Sequence, residues 1–192
     1  MAAIILASSS IYRKELFSRL GLDFTCFSPD INENLDITDH SCLTETLAIQ
    51  KAQKAQESYP DAVCIGSDTI ATLGQSRLGK PLNYEVALAQ LQEMSGQEIL
   101  FYTGIAIVSP DRSPLKAHVI TTVQFKKLTQ EMIHTYLKKE APYKSCGSFK
   151  SETSAVALIN CCQSSDPTAI VGLPLITVSQ MLSDVGVSVL GG

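Results

Sequence analysis

No apolar run in this 192-residue chain is long enough to cross a membrane, and its opening, Met1-Ala2-Ala3-Ile4-Ile5-Leu6-Ala7, has neither the basic flank nor the length of a signal peptide. Export and membrane insertion are therefore not expected, and the cytoplasm is the expected location. Positive charge is also in short supply. Fifteen Lys and Arg face 19 Asp and Glu, for a net charge of -4 and a pI near 5.3. Sequence-independent binding to duplex nucleic acid, which needs many cations on phosphates, is excluded as the main role. A small anion held by a local basic cluster stays compatible with this balance. The six cysteines, Cys26, Cys42, Cys64, Cys146, Cys161 and Cys162, form no Cys-x-x-Cys. No His pair stands at ligand spacing, so no zinc site is expected. In a reducing compartment these cysteines read as reduced, small buried hydrophobes. Walker A, Gly-x-Gly-x-x-Gly and Gly-x-Ser-x-Gly sequences are missing, which removes the usual support for kinase, dinucleotide-dehydrogenase and serine-hydrolase activities.

What is present describes a globular chain, with 45% hydrophobic and 18% charged residues and a mean hydropathy of +0.13. No repeat, low-complexity segment or long linker divides it, so residues 1–192 read as one domain. The stretch from about Met94 to Glu140 reads as a smaller lobe within it.

Ala3 to Ala7 is a buried strand delivering three serines, and Ser10 to Leu20 a serine-capped helix stopped by Gly21. A second strand over Phe24–Ser28 leads into an acidic, turn-rich loop from Pro29 to Thr44, then a helix to about Tyr59. Ala62 to Ser67 is an apolar strand that places Asp68 at its exit, and Leu73 to Arg77 a hairpin. Helices over Asn83–Met94 and from Thr129 to about Glu140 flank β-rich stretches at 98–108 and 115–125, which the turn 110–114 joins. An apolar stretch at 155–162 and a helix from about Leu175 to Ser183 complete the chain. Alternating strands and helices of this kind predict a mixed α/β sheet with helices on both faces.

Four segments could carry chemistry. Ser8-Ser9-Ser10-Ile11-Tyr12-Arg13, where a strand enters a helix, is either an anion cradle of N–H groups, hydroxyls and a guanidinium, or a serine cap beside a solvent-facing arginine. Asp68 can bind metal, activate water or cap a turn. Lys80, between Gly79 and Pro81, can neutralise phosphate or face water, and Lys51 on the long helix has the same two readings.

Taken together, Leu6-Ala7-Ser8-x-Ser10-x-x-Arg13, Lys51-Ala52, Gly66-Ser67-Asp68, Gly79-Lys80-Pro81 and Gly147-Ser148-Phe149-Lys150-Ser151-Glu152 resemble the Maf family of nucleotide pyrophosphatases over nearly the whole chain. Phe101-Tyr102-Thr103-Gly104, the Gly147–Glu152 run and Asp166-Pro167 followed by Val171-Gly172-Leu173-Pro174-Leu175 look most like the branch that hydrolyses 7-methyl-GTP. The resemblance implies a twisted mixed sheet of the Maf/ITPase type, a divalent cation (Mg2+ or Mn2+), a nucleoside triphosphate substrate, pyrophosphate release and a homodimer. It implies that Asp68 is the catalytic acid/base, that Ser8, Arg13, Lys51 and Lys80 line the phosphate site, and that Glu33 and Asp68 stand at the metal. Specificity is associated with the positions of Tyr12, Thr69 and Glu152. An aromatic face suits the cationic ring of a 7-methylated guanine, and a carboxylate accepts from its N1–H and N2–H.

Four positions depart from the pattern. Ile11 replaces the usual proline, Thr69 stands where this branch often has glutamine, and Thr153 and Ala155 replace expected glycines. Thr69 instead resembles the branch acting on UTP and dTTP, which is the alternative activity. A nucleotide-sensing regulator of cell division is the alternative from outside enzymology.

Overall fold

Most apolar runs become strands or packed helices, and side-chain caps set the starts of α-helices. A computed structural model describes residues 2–110 and 112–191. Of the turn expected at 110–114, Asp111 lies outside the described residues. The elements are β1 (Ile4–Ala7), α1 (Ile11–Ser18), β2 (Thr25–Phe27), α2 (His40–Gln56), β3 (Val63–Leu73) and β4 (Ser76–Leu78). They are followed by α3 (Tyr84–Met94), β5 (Glu98–Val108), β6 (Leu115–Phe125), α4 (Gln130–Glu140), β7 (Ile159–Ser164) and α5 (Leu175–Asp184). Ser10, Asn83 and Thr129 each accept a backbone N–H three residues on, capping α1, α3 and α4 as their types predict.

The strands lie in the order β2-β1-β3-β5-β6-β7, with β4 paired to β3. β1 is parallel to β2 and β3, whereas β3–β4 and β6–β7 are antiparallel, so the sheet is mixed, as expected. The chain divides into two compact units: Met1–Thr69, Tyr102–Val119 and Asp166–Gly192 in the first, Ile70–Phe101 and Ile120–Ser165 in the second.

In the first unit the sheet is covered on both faces. Ile4 and Leu6 of β1, Val63 and Ile65 of β3, and Ile105 and Ile107 of β5 pack with Leu16 and Phe17 of α1 and Val178, Met181 and Leu182 of α5. The alternate residues Ile5, Ala7 and Cys64 pack instead with Ala52 and Ala55 of α2. Burial on both faces is why β1 reads as an unbroken apolar run rather than an alternating one.

Gly66 and Gly104 let α2 lie against the strands. A Cβ on Gly66 would sit 2.0 Å from Ala48 O, and one on Gly104 would sit 2.3 Å from Thr44 O. Helix backbone therefore occupies the space where side chains would stand. The facing side of α2 is correspondingly small, with Thr44, Ala48, Ala52 and Ala55 all at 0% exposure.

The second unit holds the β3–β4 hairpin, whose register Thr72↔Arg77 and Leu73↔Ser76 leaves Gly74 and Gln75 as the loop. Phe149 packs there against Phe101 and Phe125.

Several expectations need correction. β3 does not end before Asp68 but continues to Leu73, because Thr69-Ile70-Ala71-Thr72-Leu73 is rich in β-branched residues and its far end pairs with β4. Asp68 is therefore mid-strand. α2 begins at His40, since Asp39 caps it by accepting from Cys42 N at 2.6 Å, and the loop is shorter than expected. The stretch 155–162 divides into a 3-10 turn (Ser154–Leu158) and β7. Of the cysteines only Cys64 is buried; Cys26, Cys42, Cys161 and Cys162 are exposed and Cys146 is half-buried. Cys26 lies on β2 and Cys161 and Cys162 on β7, the two ends of the strand order, where the side chains lack cover. Burial pushes the Cys64 thiol up to about 11, so it stays protonated and inert.

Asp166 is a buried polar anchor of the first unit, 1% exposed. Its carboxylate accepts from Thr168 N and Oγ1 and from Thr177 N at 3.3, 2.9 and 3.0 Å. Thr168 Oγ1 in turn accepts from Leu175 N at 2.8 Å. The pair replaces the N-cap that Pro174 cannot provide to α5. Asp166→Ala is expected to cost about 2 kcal/mol, read as a lower urea midpoint at unchanged m-value.

Candidate active site

Lys51 is the centre of the site in the first unit. It lies one position from the Ala48/Ala52 contact with β3, so the close approach permitted by Gly66 buries its stem and leaves it 7% exposed. Its Nζ reaches Asp68 Oδ1 at 2.6 Å and Glu33 Oε1 at 2.7 Å. A lysine that the sequence alone allows to face water is thus held between two carboxylates, one on β3 and one on the acidic loop after β2. Burying an ammonium this deeply is tolerable only with such partners.

Arg13 organises a second cluster beside Asp68 in sequence. Its Nε donates to Gly172 O and its Nη1 to Ser67 O, both at 2.8 Å, and its Nη2 donates to Thr69 Oγ1 at 3.5 Å. Ser67 Oγ stands 2.8 Å from both Gly104 O and Gly172 O, between which its one proton is shared. Thr103 Oγ1 donates to Ala169 O at 2.8 Å and accepts from Thr69 Oγ1 at 3.3 Å. The guanidinium therefore ties α1, β3 and the 169–172 turn together around Thr69. A Cβ on Gly172 would lie 2.9 Å from Arg13 Nε, so a glycine there leaves room for the arginine.

The remaining expected residues divide by unit. Ser8 is buried and its Oγ accepts from Ser10 N at 3.1 Å, while Tyr12 is half-buried on α1. Lys80 and Glu152 belong to the second unit, both exposed, and Glu152 accepts from Ser151 Oγ at 3.4 Å. Glu33, Lys51 and Asp68 are brought together by ion pairs, and Arg13 and Thr69 by a hydrogen bond. Ser67, Thr103 and Asp166 were not singled out as site residues from sequence. Ser67 and Thr103 stand inside motifs, but their roles depend on carbonyls far away along the chain.

Two carboxylates offer hard oxygen donors of the kind Mg2+ and Mn2+ take, and Mg2+ is commonly held by one or two carboxylates with substrate phosphates completing its shell. The Glu33–Asp68 pair fits that pattern. Among the described residues no group of three His, Cys, Asp or Glu side chains gathers into a protein-only cage, and no helix is long and apolar enough to cross a membrane.

A family model described as "Maf-like protein" matches residues 3–185. The chain is 46% identical over 189 residues to a 7-methyl-GTP pyrophosphatase of Nitrosococcus oceani, covering 97% of this chain and 95% of that protein. It is 44% identical over 192 residues to the protein of the same name from Pseudomonas savastanoi pv. phaseolicola, covering 98% and 100%. Among solved structures it is similar to a HAM1 protein from Coxiella burnetii, with a TM-score of 0.58 at 19% identity over 96% of this chain and 100% of that one. The Staphylococcus aureus Ham1 protein matches with a TM-score of 0.50 at 14% identity over 65% and 72%. At these identities the structural likeness concerns the fold.

Proposed function

The chain belongs to the family of Maf-like proteins, and from that premise we propose that it is a metal-dependent nucleoside triphosphate pyrophosphatase that hydrolyses 7-methyl-GTP, or a closely related modified nucleotide, to the monophosphate and pyrophosphate. The observation that carries the chemistry is the buried Lys51 ammonium between Asp68 and Glu33. The base preference takes its support from the name shared by relatives 44–46% identical along almost the full chain.

In this reading water bonds to the α-phosphorus as the bond from that phosphorus to the α–β bridging oxygen breaks, and the electron pair leaves with pyrophosphate. A triphosphate carries about four negative charges and the reaction moves more onto the leaving group, so a site must supply positive charge without solvent. Lys51 and Arg13 supply it, with Ser8 donating to a phosphate oxygen. Asp68, with Oδ1 engaged by Lys51, takes the proton of the attacking water on Oδ2. Glu33 and Asp68 would hold a divalent ion, which would supply charge neutralisation for the phosphates and make water more acidic. The family resemblance further implies phosphate charge compensation by Lys80 and acceptance from the guanine N1–H and N2–H by Glu152. Cytoplasmic location and a homodimer complete the reading.

Thr69 favours a second reading within the same chemistry. Its hydroxyl lies in the Arg13–Thr103 cluster, and threonine at this position resembles the UTP/dTTP branch. Pyrophosphate release from 7-methyl-GTP, GTP, UTP and dTTP with Mg2+ or Mn2+ separates the two. Preference for the methylated guanine is expected, and Glu152→Gln is expected to lower its kcat/KM about 10-fold or more by replacing one acceptor oxygen with a donor. Preference for the pyrimidine nucleotides would move the protein to the second reading.

A further inference from the structure

One side chain of the second unit joins two of the segments on which the family resemblance rests. Gln90, on α3, donates from Nε2 to Gly79 O at 3.1 Å and accepts at Oε1 from Ser148 Oγ at 2.6 Å. The amide orientation follows from chemistry: a backbone carbonyl can only accept, so the NH2 must face Gly79 and the oxygen is left for the serine hydroxyl. Gly79 O accepts a further bond from Gly147 N at 3.2 Å. The residue just before Lys80 and the two residues that open the loop to Glu152 therefore share one hydrogen-bonded knot. On the other side of Lys80, Leu82 N donates to Tyr143 O at 3.0 Å, pinning that turn at both ends.

Ser148 shows that the knot is more than incidental contact. Its φ is +54°, a conformation in which a non-glycine residue is strained, and it is completely buried. Its carbonyl accepts from Tyr136 OH, and that same hydroxyl oxygen accepts from Lys150 N, both at 3.0 Å. Burial holds the Tyr136 phenol well above its ordinary range, so it remains a donor. Glycine would adopt this backbone without the steric cost. What serine adds is the hydroxyl, and the hydroxyl is bonded to Gln90.

We propose that Gln90 is a positioning residue that, through Gly79 and Ser148, sets how Lys80 and Glu152 are presented, and so governs selectivity for the methylated guanine triphosphate without touching it. This rests on the reading of Lys80 as a phosphate contact and Glu152 as the base-reading carboxylate. Both nucleotides offer N1–H and N2–H, but only the 7-methylated ring is cationic, so a misplaced Glu152 carboxylate costs 7-methyl-GTP more than GTP. Gln90→Leu removes both halves of the strut. Gln90→Glu keeps an acceptor for Ser148 and loses the donor to Gly79, and Ser148→Ala removes only the Ser148 half.

The test measures kcat and KM of each variant with 7-methyl-GTP and with GTP, together with hydrogen exchange at the amides of Gly147 and Lys150. Gln90→Leu is expected to raise KM for 7-methyl-GTP and to shrink the 7-methyl-GTP/GTP ratio of kcat/KM, each by about tenfold, with little change in kcat. Gln90→Glu and Ser148→Ala should fall between it and the wild type, and they carry the test should Gln90→Leu fail to fold. Exchange at Gly147 and Lys150 should accelerate while that of α2 does not. An unchanged selectivity ratio in an active enzyme overturns the proposal, whether or not the melting temperature falls, and so does unchanged exchange at the two amides. A wild type that releases pyrophosphate from neither nucleotide sinks the functional reading itself, an outcome distinct from an active enzyme indifferent to Gln90.

Discussion

Asp68→Asn is expected to lower kcat/KM on the order of 10³-fold while leaving the unfolding free energy within about 1 kcal/mol of wild type. The asparagine carbonyl occupies the place of Oδ1 and still accepts from Lys51 Nζ, now 2.6 Å away. Glu33 remains to neutralise the ammonium from 2.7 Å, so no buried charge is stranded. What disappears is a negative, basic oxygen able to take a proton and to bind a hard cation. Pyrophosphate release and urea denaturation of the same preparation check the two halves separately. Retention of turnover within tenfold would remove Asp68 from the proton-accepting role. A large loss of stability would mean that its charge is a structural requirement, with turnover lost through misfolding.

Gly66→Ala is the second large effect, this time on both stability and rate. The new methyl group would stand 2.0 Å from Ala48 O and 2.8 Å from Ala52 N, and both obstacles are helix backbone, which cannot swing away as a side-chain end can. α2 must move off the sheet, at a cost of about 3 kcal/mol. Lys51, three residues beyond Ala48, moves with it and leaves Asp68. Displacement of a reacting group by an ångström lowers rates by about 10²-fold, so a folded fraction of Gly66→Ala should remain a poor enzyme even after correction for stability. Thermal melting and kcat/KM under folding conditions measure both. Wild-type values for each would show that Gly66 does not set the helix–strand distance.

These two residues show where local reading of the chain succeeds and where it stops. The starts of α1, α3 and α4 are legible because Ser10, Asn83 and Thr129 cap their own helices across three residues, an interaction that sequence neighbours settle alone. β5 and β6 were legible for the same local reason, as long β-rich runs closed by turns. The exit of β3 was misplaced because Asp68-Thr69 resembles a turn, whereas pairing with β4 carries the strand five residues further. Cys26, Cys161 and Cys162 were expected inside because their type favours burial, but their strands lie at the ends of the sheet order.

For the candidate site, the ordered motifs marked Asp68, Lys51, Arg13 and Lys80, and the family resemblance they carry added Glu33. The chain by itself determined their chemical types and most of the elements that bear them, because capping, apolar periodicity and turn residues act over a few positions. Only the tertiary structure decided that Lys51 is buried between two carboxylates, that Arg13 is held by Ser67, Thr69 and Gly172, and that Gln90 links Gly79 to Ser148. Those arrangements join groups 11 to 159 residues apart. Their contacts arise when strands pair and helices settle against glycine-lined surfaces, and no short-range pattern in the sequence encodes that distance.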